Sequence, residues 1–170
     1  MLSTKIENFI SQDAVLIFNA YTWEKIERSG RHLKNGNGDL QAYIYESELG
    51  ICYDIAHEDI LGDVYTDLYK DKVEQLANKK LKYAGSFYRI YGPECILEKH
   101  VDRDGYDYTA TINISNNPNN YRWPIYTETQ EITLNPGDAF ICEGNKVPHW
   151  REKHQGQWST QLMLHYQIDE

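Results

Sequence analysis

His100 stands two positions before Asp102 in EKHVDRDGYDYTATINIS, directly ahead of a run that alternates as a β-strand does. In extended chain, residues i and i+2 share a face about 6.5 Å apart. An imidazole and a carboxylate at this spacing can turn toward one point, and the chemistry they offer there is chelation of a metal cation. Two donors do not make a site, so a third is required. His57 and Asp59 have the same spacing, but Asp59 heads a helical pattern and is better used capping backbone N–H groups. That pair reads as structural. DRDGYD is rich in carboxylates, yet a calcium loop with its glycine at Gly105 needs acidic ligands where His100 and Thr111 stand, so calcium is not expected.

The third donor has to come from His32, His149, His154 or His165. His149 follows LNPGDAFICEGNKVPHW, in which Pro136, Gly137 and Asp138 make a tight turn, AFICE makes a strand and Val147-Pro148 restart extended chain. A histidine opening that strand can face His100 and Asp102 across a closed sheet. His165 lies in apolar LMLHY and reads as a core histidine, and His154 reads as a solvated loop residue. Two histidines and one carboxylate on one face of a metal form the facial triad of non-haem Fe(II) oxygenases, which leaves other coordination positions open.

The elements that must position these donors differ between the two halves of the chain. In the first half, AVLIF at 14–18 reads as a short strand, and Thr22 reads as the cap of a helix from Trp23 to Arg28. SGRHLKNGNGDL reads as a Gly/Asn-rich loop, with Ser29 to Asp39 either a lid over the site or a disordered segment, and QAYIYE reads as a strand. Apolar residues from Leu61 to Ala77 recur at helical spacing, which predicts a long helix from Asp59 to about Lys82. After Gly85 come SFYRIY, CILEKHV, YDYTATINIS, RWPIYT, EITL, DAFICEG, PHWRE and STQLMLHYQI, short strand-like segments separated by turn signals. This is the rhythm of an antiparallel sandwich or barrel. The reading is a single domain over 1–170, α+β but mainly β, with 1–84 as mixed α/β support and 85–168 as the β core.

The chain has 170 residues, a formal net charge of -9, three cysteines and 14 tyrosines. A strongly acidic balance disfavours a sequence-independent grip on a phosphate backbone, so nucleic acid is not the expected partner. Cys52, Cys95 and Cys142 are odd in number and lack C-x-x-C spacing, which fits a reducing, cytoplasmic setting. The longest apolar run near the N-terminus, Ala14 to Phe18, is far too short to span a membrane, and no membrane association is expected.

In order and spacing, RIYGPECILEKHVD, TATINIS, WPIY, LNPGDAFICEG, HW and QLMLHYQ resemble the Fe(II)/2-oxoglutarate-dependent dioxygenases, closest in style to their prolyl-hydroxylase-like branch. The resemblance covers roughly residues 85 to 168. It implies a double-stranded β-helix, or jelly roll, buttressed by N-terminal helices, with His100, Asp102 and His149 as iron ligands. It further implies Fe(II), 2-oxoglutarate and O2 as cofactor and cosubstrates, release of succinate and CO2, and hydroxylation of a peptidyl or small-molecule substrate. Asp102 favours hydroxylation over halogenation, since the superfamily's halogenases lack the carboxylate ligand. The basic residue that grips the distal carboxylate of 2-oxoglutarate in relatives falls here at Ser159 and Thr160, and neither is basic. Arg151, two beyond His149 and so on its strand face, is the first candidate substitute, and Arg89 the second. Tyr91 and Asn113 align with positions that hydrogen-bond the cosubstrate, and Trp123, Tyr126 and Trp150 could line a substrate cleft. Two other readings compete: a cupin-like metal-dependent isomerase or epimerase, which usually carries a second histidine where Asp102 stands, and a non-catalytic jelly-roll binding module.

Overall fold

The computed structural model describes residues 2–28, 48–49, 52–57 and 60–169. The Ser29-Asp39 loop, the QAYIYE segment and Asp59 lie outside the described residues.

The apolar run at 14–18 is helical, not extended. It belongs to α1, Gln12–Arg28. Ser11 caps this helix, its Oγ accepting from the Ala14 amide at 3.2 Å, as a serine at the N-cap does. Within the run only Ala14, Val15 and Phe18 are buried, while Leu16 and Ile17 face outward. A five-residue apolar stretch carries no period of its own, and the cap decides it. Thr22 is therefore mid-helix and not a cap: it is buried and its hydroxyl donates to the Phe18 carbonyl at 2.8 Å.

The second helix, α2, spans Ile60–Ala77 and stops short of the Lys82 expected from periodicity. Asn78 takes a left-handed conformation, φ 51°, which ends a helix. Leu81 then opens a strand, its amide donating to Glu74 Oε1 at 2.8 Å.

The strands form two sheets. The six-stranded sheet has β1 (Ser3–Ile6), β3 (Cys52–His57), β4 (Leu81–Tyr91), β6 (Tyr108–Asn117), β9 (Ala139–Cys142) and β11 (Trp158–Ile168), in the order β1-β9-β6-β11-β4-β3. The five-stranded sheet has β2 (Glu48–Leu49), β5 (Ile96–His100), β7 (Ile125–Thr127), β8 (Glu131–Ile132) and β10 (His149–Arg151), in the order β2-β5-β10-β7-β8. Every pairing is antiparallel. The architecture is a mainly β jelly roll with two supporting helices, as expected, although β1, β2 and β3 carry no clear strand signal in the sequence.

The larger sheet has two chemically different faces, as period-2 alternation requires. Tyr88 and Ile90 of β4, Ile112 and Ile114 of β6, and Leu162, Leu164 and Tyr166 of β11 pack with Phe9, Phe18 and Val73 of the helical layer. The intervening residues, Phe87, Arg89 and Tyr91 on β4 and Gln161, Met163 and His165 on β11, line a cavity facing the smaller sheet. Gly62 lets α2 approach this scaffold closely, since a Cβ there would lie 2.4 Å from Ser86 Oγ. The helices thus hold the sheet whose other face builds the site.

Candidate metal centre and its cavity

β5 and β10 pair with His149 directly opposite His100, and the two rings lie with centroids 4.5 Å apart. The register then shifts so that Arg151 pairs with Leu97, an irregularity of the kind that re-aims a side chain. Asp102 lies just beyond β5, where its amide donates to the Gly144 carbonyl at 2.8 Å. One ligand atom from each of His100, Asp102 and His149 lies within 4.8 Å of the others.

The hydrogen bonds around the three donors fit them for a cation. His100 Nδ1 is 2.7 Å from the Glu98 carbonyl, and His149 Nδ1 is 2.9 Å from the Val147 carbonyl. A carbonyl only accepts, so both rings carry their proton on Nδ1 and leave a lone pair on Nε2. Those Nε2 atoms stand 3.9 and 3.8 Å from Asp102 Oδ1. The other carboxylate oxygen, Oδ2, accepts from Thr109 Oγ1 at 2.5 Å. Burial lowers the His149 pKa against the pull of Asp102, which keeps the ring neutral and able to ligate. These are the outer partners by which a protein fixes the tautomer and aim of metal ligands. Gly144 completes the cradle, since a Cβ there would lie 2.1 Å from Asp102 Oδ2 and 2.7 Å from Thr109 Oγ1.

The donors open into a cavity of about 470 Å³ whose wall includes Arg151, Arg89 and Tyr91. Arg151 is 3 % exposed. Its Nη1 donates to the Trp123 carbonyl and its Nη2 to Gln161 Oε1 at 3.2 Å, with the guanidinium 4.7 Å over the Trp123 ring. Burial pulls its pKa down to about 10, so it stays charged at neutral pH, and among the described residues no carboxylate pairs with it. Tyr91 packs on Trp123 with ring centroids 5.1 Å apart.

The other expected cosubstrate residues lie elsewhere. Asn113 is behind the wall, donating to the Leu134 carbonyl at 2.8 Å and accepting from Gln161 Nε2 at 3.0 Å. It therefore orients Gln161, which in turn holds Arg151. Ser159 is also outside the lining, its Oγ lying 2.9 Å from Asn116 Oδ1 and 2.8 Å from His154 Nε2. His154 is fully buried, contrary to its reading as a solvated loop residue. It fills the space beside Ser159 with Nδ1 held 3.1 Å from the Gly156 carbonyl, and burial takes its pKa down to about 4. Tyr126 and Trp150 stack on each other with centroids 6.0 Å apart and, with Trp123, stand outside the cavity lining. Thr109, Gln161, Arg103 and Tyr106 do line it, and the sequence reading did not single them out. The signal for Gln161 was its even spacing on one strand, two beyond Ser159 and four before His165; the others have none before the register is known.

No family model matches the sequence, and no curated protein does. Solved structures do match. A Pseudomonas putida prolyl-4-hydroxylase superposes with a TM-score of 0.72 at 12% identity, over 99% of this chain and 93% of that one. A viral collagen prolyl hydroxylase from Paramecium Bursaria Chlorella virus-1, in a 2OG complex, gives 0.69 at 11%, over 99% and 97%. The non-haem alpha-ketoglutarate-dependent carbocyclase SnoK from nogalamycin biosynthesis gives 0.72 at 13%, over 98% and 79%. The chain has the fold of the Fe(II)/2-oxoglutarate oxygenases in its prolyl-hydroxylase-like form.

Proposed function

We propose that the protein is an Fe(II)- and 2-oxoglutarate-dependent oxygenase that hydroxylates a small-molecule or peptide substrate, releasing succinate and CO2. One observation carries this reading: a His-Asp-His donor set and a buried guanidinium with no acid partner among the described residues line the same cavity. His100, Asp102 and His149 would hold the metal, with both imidazoles locked in the tautomer that ligates and Thr109 steadying the carboxylate. When bound, Fe(II) supplies the activation of O2 coupled to oxidative decarboxylation of the oxo acid.

Arg151 would bind the distal carboxylate of 2-oxoglutarate. A buried guanidinium is stabilised most by a paired, hydrogen-bonding anion, and among the described residues its donors meet only neutral acceptors. Ser159, at the position where relatives carry the basic residue, is tied to His154 and Asn116, so the anchoring charge enters from β10 instead of β11. Tyr91, on the same wall, supports the same end of the cosubstrate, and Trp123 backs both Tyr91 and Arg151. The carbocyclase among the similar structures leaves the outcome at the substrate open to reactions other than hydroxylation; the carboxylate ligand and the prolyl-hydroxylase likeness favour hydroxylation.

The test is an anaerobic titration of the Fe(II)-loaded protein with 2-oxoglutarate, read by the visible charge-transfer absorption that a 2-oxo acid gives on Fe(II). Saturable absorption that is lost in His149→Ala and needs far more 2-oxoglutarate in Arg151→Ala is the expected result. Bound iron with no absorption at any concentration of the oxo acid would overturn it.

A further inference from the structure

The end of the cavity away from Arg151 is built around His165, which the oxygenase reading does not use. His165 is 4 % exposed, and its Nε2 has no hydrogen-bond partner among the described residues. Its ring lies flat on Tyr106, centroids 4.1 Å apart, and edge-on to Phe87 at 5.1 Å. All three residues line the cavity.

The tautomer of His165 follows from its neighbours. Thr109 Oγ1 donates its one proton to Asp102 Oδ2, which only accepts, and lies 2.9 Å from His165 Nδ1. Nδ1 must therefore be the donor to the hydroxyl oxygen. Burial holds the ring neutral, with its pKa down to about 4. Nε2 is left as a bare lone pair, a buried acceptor in the cavity wall with no donor to meet it among the described residues. An unsatisfied buried acceptor is costly unless something supplies the missing hydrogen bond.

The same end is cationic. Arg103 stacks 4.3 Å over Tyr106 and donates to its hydroxyl, and among the described residues no carboxylate pairs with it. Arg89 lies 4.7 Å over Phe87. Three of the chain's six arginines line this one cavity, where Asp102 is the single acid among the described lining residues, although the chain has 26 acidic residues in all. With Arg151 assigned to the cosubstrate and Asp102 to the metal, Arg103 remains to face another anion.

We infer that this end of the cavity is the substrate subsite, and that it takes a small organic anion that also carries an O–H or N–H donor. The anion meets Arg103, the donor is received by His165 Nε2, and Phe87, Tyr106 and Met163 enclose the carbon chain between. The inference rests on the oxygenase reading only for the role of the ligand as substrate; the recognition chemistry stands on the side chains themselves.

Nitrogen NMR of the full chain with 15N-labelled histidine, in the presence of Zn(II) and 2-oxoglutarate, tests it with three probes: 4-hydroxybutyrate, butyrate and butane-1,4-diol. The expected spectrum has His165 protonated on Nδ1 alone, with its Nε2 resonance moved upfield by 4-hydroxybutyrate and left in place by butyrate. Butyrate should bind about tenfold more weakly, the worth of one well-made hydrogen bond. His165→Phe should bring the hydroxy acid down to the affinity of butyrate, and Arg103→Gln should weaken both anions relative to the diol. A proton on Nε2, or a His165 signal unmoved by all three probes, would overturn the inference; the wild-type tautomer decides this even where a variant does not fold. The signals of His100 and His149 report the metal site in the same spectra, so failure of the oxygenase reading shows there, separately from failure at His165.

Discussion

The His100–His149 pair and His154 use the same local device to opposite ends. Each ring pins Nδ1 to a backbone carbonyl two residues away, Glu98, Val147 and Gly156 respectively, so each presents Nε2 as an acceptor. In the first case the Nε2 atoms converge on the Asp102 carboxylate at the wall of a cavity. In the second, Nε2 meets the Ser159 hydroxyl inside solid packing. A locked histidine tautomer is therefore neutral information; whether it makes a ligand or a structural pin is decided by what stands opposite Nε2.

The largest effect should separate the two clusters outright. His149→Ala should abolish metal binding while leaving a folded chain, whereas His154→Ala should keep the metal; isothermal titration with Mn(II) or Fe(II) under argon reads both. Comparable loss in the two variants would dissolve the distinction. Next, Arg151→Ala should weaken 2-oxoglutarate binding roughly 30-fold or more, as expected for removing one partner of a buried charge-assisted contact, with metal affinity nearly unchanged. Arg151→Lys should recover only part, because an ammonium cannot reproduce the planar fork.

A smaller effect should follow from the cradle. Gly144→Ala places a methyl where Asp102 Oδ2 lies and should cost about 10- to 100-fold in metal affinity, the usual scale for disturbing a ligand's outer partners. An unchanged affinity would mean that Asp102 can shift freely and is not positioned by this contact. For His154→Ala the deficit belongs in stability instead, on the order of 2 kcal/mol from a lost buried hydrogen bond and the space left behind, measured as a lower urea midpoint.

The smallest difference concerns pH. Histidine in the unfolded chain takes up a proton near 6.5, while burial holds His154 and His165 neutral down to about 4 in the folded one. Protons then bind preferentially to the unfolded state, so the contribution of each is fully present above pH 6.5 and is lost as pH falls toward 4. The urea midpoint should fall across that window, and less steeply in His154→Gln. A slope identical to wild type would show that His154 is not held neutral by its burial.

The metal donors were legible because the cue was local at one end and punctuated at the other. His100 and Asp102 sit two apart, and His149 follows the Pro136-Gly137-Asp138 turn, which forms with the Asp138 amide 2.9 Å from the Asn135 carbonyl. The period-2 texture after Gly85 likewise marks the β-rich half. What stayed hidden depends on register. That β10 pairs with β5 so that Arg151 lies opposite Leu97, and that Thr109, Gln161, Arg103 and Tyr106 meet Arg151 at one cavity, is a fact of strand pairing that no short window contains. His154 was misread for a related reason: its polar neighbours Glu152, Lys153 and Gln155 are exposed, and nothing in that stretch announces that one side chain turns inward to Ser159. The run at 14–18 failed differently, since the deciding residue, Ser11, lies just outside it.

Arg151 has a consequence for the life of the protein in a cell. A buried guanidinium whose partners among the described residues are all neutral makes the empty chain less stable than the chain holding an anion there, and anything that binds only the folded form raises its population by mass action. On the proposed reading that anion is 2-oxoglutarate, a central carbon metabolite. The amount of intact protein should then follow the supply of the oxo acid, so that nutritional state sets how much enzyme survives turnover as well as how fast each copy works.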